Sequence, residues 1–98
     1  MNDGRAFDWD DRKAKSNLAK HAVPFDYATR VFLDPRRVTF DASRERDLET
    51  RRKTVGVIEG KVFVVVHTDR DAVCRIIFAR RANAMEQRAY GPVQPRSE

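Results

Sequence analysis

Arginine and histidine side chains in the second half of the chain are the residues best suited to chemistry. Arg51 opens one apolar stretch, His67 ends the next, and Arg75 and Arg80 lie in the last. Arginine binds phosphate through paired hydrogen bonds, and histidine titrates near neutrality. Such groups can hold a phosphodiester, stabilise its developing charge and move a proton. The simpler explanation is surface ion pairs for the arginines and a solvated strand-end imidazole for His67.

The composition favours an anionic partner. Lys and Arg number 20 against 15 Asp and Glu, which gives a net charge of +5 and a pI near 9.9. Fifteen of the cations are arginine. The planar guanidinium group binds phosphate and carboxylate through paired hydrogen bonds, which the lysine ammonium group cannot do. The balance suits nucleic acid or an acidic protein. A generally basic surface is the alternative, and composition does not decide between them.

Size and residue usage exclude several classes. Ninety-eight residues make one domain, whose ordered part we expect at about residues 7–90. Cys74 is the only cysteine, so an intramolecular disulfide is excluded, and neither histidine has metal-ligand spacing. We therefore predict no metal and no cofactor. The run Val62 to Val66 is too short to span a membrane, and residues 1–8 do not resemble a signal peptide. These features predict a cytoplasmic, soluble protein.

Helical periodicity occupies the first third of the chain, after a strand-like Phe7-Asp8-Trp9. Asp8 or Asp10 is a suitable cap for a helix that runs to about His21. Its predicted apolar stripe is Ala14, Leu18 and Ala22, with Lys13, Asn17 and Lys20 on the other side. After Pro24, a second helix is predicted from about Phe25 to Leu33, where Asp34-Pro35 ends it.

Alternation with period two follows. Strands are predicted at Val38 to Phe40 and over residues 51–58, 61–68 and 72–80, with a last helix at about residues 83–90. We therefore expect an α+β fold in which two N-terminal helices pack on a four-stranded antiparallel sheet, followed by a short C-terminal helix. Strict alternation places Arg75 with Ala79 and Arg81, and Arg80 on the opposite face. A bulge would change that arrangement.

A series of short motifs resembles the BrnT toxin family and covers residues 7–90. Its landmarks, in chain order, are Trp9-Asp10-x-x-Lys13-x-x-x-Asn17-x-x-Lys20-His21-x-Val23-x-Phe25, Phe32-x-Asp34-Pro35, Arg51 with Gly56, Val65-Val66-His67-Thr68, Arg75-Ile76-Ile77-x-Ala79-Arg80 and Ala82-x-x-x-Glu86-x-x-x-Tyr90. The chain departs from the family pattern at four positions: Ala22 for a usual Gly, Thr50 for a frequent acid, Phe78 for a usual Ser, and Gln87 for a frequent Arg.

The resemblance implies a RelE-like ribonuclease toxin of a bacterial type II toxin–antitoxin pair. Its implied partner is a BrnA-type antitoxin with a ribbon-helix-helix DNA-binding part. The complex would repress its own operon, so operator DNA is contacted only through the antitoxin complex. The free toxin would cleave RNA and arrest growth. No membrane partner is expected.

The leading hypothesis is therefore a metal-independent RNA endonuclease that acts by 2′-hydroxyl attack. Arg51, Arg75 and Arg80 would bind the scissile phosphate, and His67 would transfer the proton. Glu49 and Glu86 are weaker candidates for that transfer. Contacts with RNA or antitoxin are expected from Lys13, Lys20, His21, Arg81 and Tyr90. The alternative is a basic binding module without catalysis. Direct operator binding is a third hypothesis, disfavoured because no helix-turn-helix pattern is present.

Overall fold

A five-stranded mixed sheet organises the protein. The computed structural model describes residues 6–46 and 48–93. The sheet order is β1-β5-β4-β3-β2, and the strands are β1 (Ala6–Trp9), β2 (Val38–Asp41), β3 (Arg52–Ile58), β4 (Lys61–Arg70) and β5 (Val73–Arg81). Strands β2 to β5 form the predicted antiparallel meander. The predicted four-stranded antiparallel sheet preceded by two helices is wrong, because β1 precedes the helices and pairs in parallel with β5.

The additional strand has a physical explanation. Phe7 packs against Phe32 and Trp9 against Phe25, so both aromatic rings enter the core, while Asp8 between them points to the other face. The partner of β1 is the last strand of the chain. The alternation of residues 6–9 is visible in the sequence, but no local signal identifies so distant a partner.

Three helices accompany the sheet in the part of the chain that the structure describes. Helix α1 (Asp11–His21) is capped by Asp10, one of the two predicted caps, whose carboxylate accepts the backbone N–H groups of Arg12 and Lys13. The predicted second helix is α only over Phe25–Ala28 (α2) and continues as a 3-10 turn over Thr29–Leu33. Helix α3 (Ala84–Tyr90) has a capping box. No helix within residues 6–46 and 48–93 has the length and apolar character needed to cross a bilayer.

Helix α1 is attached to the sheet by a polar side chain. The amide of Asn17 donates to the carbonyl of Ala79 at 2.8 Å and accepts its N–H at 3.0 Å. Asn17 therefore pairs with the edge of β5 where β1 no longer covers it, and it is 4% exposed. The predicted apolar stripe of α1 is wrong at Leu18, which is 50% exposed, and at Ala22, which is also exposed.

The two faces of the sheet carry separate apolar clusters. Alternation along β4 sends Phe63 and Val65 towards α1, α2 and the 3-10 turn, a side that we call the helix face. Val62, Val64 and Val66 point to the opposite side, where Ala82 and Tyr90 pack against them. The short helix α3 covers only part of this second side of the sheet. Polar side chains of the strands can therefore reach solvent on the remaining part.

Candidate phosphate-binding face

A β-bulge brings the arginines of β5 to one face. Val66 pairs with Phe78, whereas the next residue of β4, His67, pairs with Ile76, so Ile77 is an extra residue without a partner. The bulge reverses the alternation after Arg75. As a result Arg75, Phe78 and Arg80 all lie on the side opposite the helix face, together with Lys53, which is paired with Val66. We call this surface of Lys53, Arg75, Phe78 and Arg80 the basic face.

The centre of the basic face is a cluster of three charged side chains. Arg80 donates through both terminal nitrogens to the two carboxylate oxygens of Glu86, at 2.8 Å each. Lys53 donates to the same carboxylate at 3.1 Å. The side chain of Glu86 is 6% exposed, whereas those of Arg80 and Lys53 are 27% and 31% exposed. The two cations therefore reach solvent, and the cluster has a formal charge of +1.

Glu86 is saturated with donors. Besides Arg80 and Lys53, the backbone N–H of Asn83 donates to its Oε1 at 2.8 Å, so four bonds occupy the carboxylate. Hydrogen bonding by Arg80 is the main cause that lowers the pKa of Glu86 to about 2. Glu86 is therefore ionised at neutral pH and has no vacant lone pair for a further proton. Its role in this arrangement is to hold the two cations.

A second group of charges surrounds Arg75 at the other end of the face. Arg75 forms an ion pair of 3.2 Å with Asp8, its register partner on β1. Glu49 binds Arg70 through both carboxylate oxygens, and this contact lowers the pKa of Glu49, with a smaller effect from Arg75. On β4, Arg75 is paired with Thr68 and Arg80 with Val64. These two partners are four residues apart, which is about 13 Å along the strand.

Arg51 lies beside this group. Its carbonyl accepts the N–H of Ala42, which extends the β2–β3 pairing by one residue, and its own N–H donates to the hydroxyl oxygen of Ser43. Alternation from Lys53 places Arg51 on the same side of the sheet. The three arginines predicted to bind phosphate therefore share one side, with Arg80 at one end and Arg51 and Arg75 towards the other.

His67 lies on the helix face, away from these arginines. Its ring is 1% exposed and packs edge-on against Phe32 with the ring centroids 5.1 Å apart. One ring nitrogen is bonded to Thr54 at 2.8 Å and the other to Asp69 at 2.9 Å. The sheet itself separates His67 from the basic face.

The predicted contact residues fall in three different places. Lys13, Lys20 and His21 line a groove of about 350 Å³ between α1 and β5. Arg81 donates to the carbonyl of Val62 and lies over the ring of Phe63. Tyr90 is 8% exposed and donates to Asp34 at 2.6 Å, and burial raises its pKa to about 12.

One trio of side chains has the donor types of a metal site. Within the described ranges, ligand atoms of His67, Asp69 and Cys74 lie within 4.8 Å of one another. A tetrahedral zinc ion sets its ligand atoms about 3.3–3.8 Å apart. The two ring nitrogens of His67 are hydrogen-bonded to Thr54 and Asp69, and Cys74 is buried, paired with Asp69 across the β4–β5 hairpin.

Two members of the basic face were not identified from the sequence. Lys53 belongs to a stretch of mixed charge, residues 43–53, which is typical of a solvated loop. Phe78 stands out in the sequence only as a departure from the usual Ser of the family pattern. The alternation of Arg51 and Lys53 at the start of β3 is the signal that could have placed Lys53 beside the arginines.

The fold and this face define a small α+β protein with a cationic surface suited to a polyanion. The family model described as the ribonuclease toxin BrnT of type II toxin–antitoxin systems matches residues 9–86. The chain belongs to this family, which implies a ribonuclease toxin with an RNA substrate and an antitoxin partner. A search of curated proteins found no match.

Proposed function

We propose that the protein cleaves RNA at the Lys53–Glu86–Arg80 cluster without a metal ion. The observation that carries the proposal is the shared carboxylate, which holds two solvent-reaching cations side by side. Two fixed positive charges are suited to the non-bridging oxygens of one phosphodiester, where negative charge grows during cleavage. Family membership supplies the RNA substrate.

The reaction proposed is attack by the 2′-hydroxyl on the adjacent phosphorus. A bond forms between the 2′-oxygen and phosphorus, and the bond from phosphorus to the 5′-oxygen breaks. Arg80 and Lys53 stabilise the charge, and the Lys53 ammonium donates a proton to the departing 5′-oxygen. The proton of the 2′-hydroxyl passes to solvent. The products are a 2′,3′-cyclic phosphate and a 5′-hydroxyl.

The other charged residues receive supporting roles. Glu86 is a positioning residue, because all its lone pairs are occupied. Arg75 and Arg51, about 13 Å from Arg80 along the sheet, bind phosphates further along the strand of RNA rather than the scissile one. His67 is assigned a structural role because it is buried on the helix face. Glu49 forms an ion pair with Arg70, and its assigned role is to keep the Arg70 side chain in position.

The test is cleavage of a defined single-stranded RNA by the purified protein in excess EDTA. We expect fragments that end in a 2′,3′-cyclic phosphate and begin with a 5′-hydroxyl. Lys61→Ala is the charge-matched control, since Lys61 is exposed at the β3–β4 turn. RNA that is bound but stays intact would instead support a binding module, and cleavage only after addition of a divalent ion would overturn the metal-independent step.

The partner that we propose is a BrnA-like ribbon-helix-helix antitoxin. A type II pair implies an antitoxin, and a chain of net charge +5 suits an acidic protein segment. We propose that operator DNA is bound only by the complex. A gel shift with the chain alone, the antitoxin alone and the complex checks this, and binding of operator DNA by the chain alone would contradict it.

A further inference from the structure

We propose that His21 and Phe78 form a slot that stacks on both faces of one unpaired base of the RNA. The inference rests on the proposed function and extends it to recognition of the substrate. The two rings lie on opposite walls of the groove between α1 and β5, which also contains Lys13, Ser16 and Lys20. Phe78 is partly exposed and His21 is exposed.

The spacing of the rings carries the proposal. The ring planes are inclined by 30° and the centroids are 6.5 Å apart, which is at the wide end of the range for stacked aromatic pairs. Stacked bases are separated by about 3.4 Å, so a base between two rings needs about 7 Å. The pair is therefore loosely packed, and rotation of the exposed His21 side chain would widen it to the spacing that an inserted base needs.

The position of Phe78 connects the slot to the cleavage centre. The guanidinium carbon of Arg80 lies 5.9 Å from the centroid of the Phe78 ring. One side chain therefore borders both the groove and the basic face. A nucleotide whose phosphate is held by Arg80 and Lys53 can direct a neighbouring base into the groove, as single-stranded RNA does when aromatic rings are available.

The charge of the groove fits the same occupant. Lys13 and Lys20 are exposed on the wall contributed by α1, and no ion pair of either lysine is found among residues 6–46 and 48–93. Aromatic walls with cations at the rim are typical of sites that bind single strands with stacked bases and solvated phosphates. The groove volume, about 350 Å³, is sufficient for one base.

Binding is measured with a 2′-O-methyl oligonucleotide, which cannot be cleaved and so separates this proposal from the cleavage proposal. A 2-aminopurine base at each position in turn reports stacking through quenching of its fluorescence. We expect strong quenching at one position, and a loss of affinity of about tenfold or more for Phe78→Leu and for His21→Ala. Phe78→Trp and His21→Phe keep an aromatic ring and should retain binding. Thermal unfolding confirms that each variant is folded.

Leu18→Ala is the matched control, because Leu18 is exposed on α1 but does not line the groove. Equal affinities of wild type, Phe78→Leu and His21→Ala for the oligonucleotide would overturn the slot even if the protein cleaves RNA. Loss of antitoxin binding with unchanged oligonucleotide binding would assign the groove to the protein partner and also overturn it. Quenching that depends on both rings would support the slot even if no cleavage were found.

Discussion

Arg80 and Glu86 form a two-pronged ion pair, with both bonds at 2.8 Å, at the point where β5 passes into α3. The capping box of α3 fixes the carboxylate, since Asn83 and Glu86 exchange hydrogen bonds at the start of that helix. The same carboxylate holds Lys53 from β3. A local helix-capping motif therefore positions two cations that come from different strands.

Removing either cation of the cluster should reduce cleavage. We expect Arg80→Ala to lower kcat/KM by about 10²–10³-fold, the scale found when one transition-state donor is lost. Lys53→Ala should lower it comparably, and Lys53→Arg, which keeps the charge, should recover part of the loss. Cleavage rates under single-turnover conditions give the measurement. An unchanged rate for Arg80→Ala would remove it from the site.

Acid should weaken the fold through Glu86. Its pKa is lowered from 4.5 to about 2 in the folded chain, so its ionised form contributes about 3 kcal/mol of stability above pH 5. That contribution decreases as the pH falls below the unfolded value and is lost near pH 2. Urea unfolding of wild type and Glu86→Gln between pH 2 and 7 checks this. The difference between the two proteins should narrow towards pH 2, and a constant difference would contradict the assignment.

The local features of the chain could be predicted, whereas its parallel pairing could not. Asp10 and Asn83 are recognisable helix caps because their side chains act on the next few residues. The 3-10 turn of residues 29–33 and the pairing of β1 with β5 depend on tertiary packing. The prediction that Asn17 faces away from the sheet is wrong, since its amide bonds the backbone of Ala79. A polar side chain that is buried in this way adds nothing to the apolar pattern of the helix, so the sequence does not reveal it.

The sequence selects several residues of the basic face but does not predict how they are arranged. Strict alternation predicts Arg75 and Arg80 on opposite faces, and the bulge brings them to one face. The extra residue, Ile77, is an ordinary apolar residue that does not mark a bulge in the sequence. His67 was selected because it ends an apolar strand next to polar residues. Its burial follows from the side of β4 on which it falls, which depends on where α1 and α2 pack.

His67 should affect stability and not cleavage. Its ring bonds Thr54 and Asp69 in a buried position, and removal of a buried, bonded group costs about 1–3 kcal/mol. We expect His67→Gln to lower the free energy of unfolding by that amount and to leave kcat of the folded protein within about twofold. Denaturant curves and single-turnover rates measure the two effects separately. A large loss of kcat in a folded His67→Gln protein would instead indicate that His67 takes part in catalysis.

Asn17 should be essential for the attachment of α1. Its amide bonds the N–H and the carbonyl of Ala79 and also the carbonyl of Val23. Asn17→Ala leaves these buried groups unpaired, and we expect a loss of about 3 kcal/mol or more. Amide hydrogen exchange should accelerate most along the β5 edge. Ser16→Ala, at the neighbouring exposed position, is the control. A similarly small loss of unfolding free energy in both variants would show that the backbone groups of Ala79 find other hydrogen-bond partners.

Gly56 should tolerate no side chain, because the 3-10 turn packs directly on β3 at this point. A Cβ atom at Gly56 would lie 3.0 Å from the carbonyl oxygen of Val31 and 3.1 Å from its Cβ, and Val31 is fully buried. Neither atom can move freely, so Gly56→Ala should cost about 1–3 kcal/mol through displacement of the turn. Gly60→Ala is the control, because Gly60 has open space around it but a positive φ of 81°. A loss of stability in that variant reports backbone conformation, whereas the loss in Gly56→Ala reports steric contact with Val31. Equal thermal stability of Gly56→Ala and wild type would contradict the close packing of this turn on the sheet.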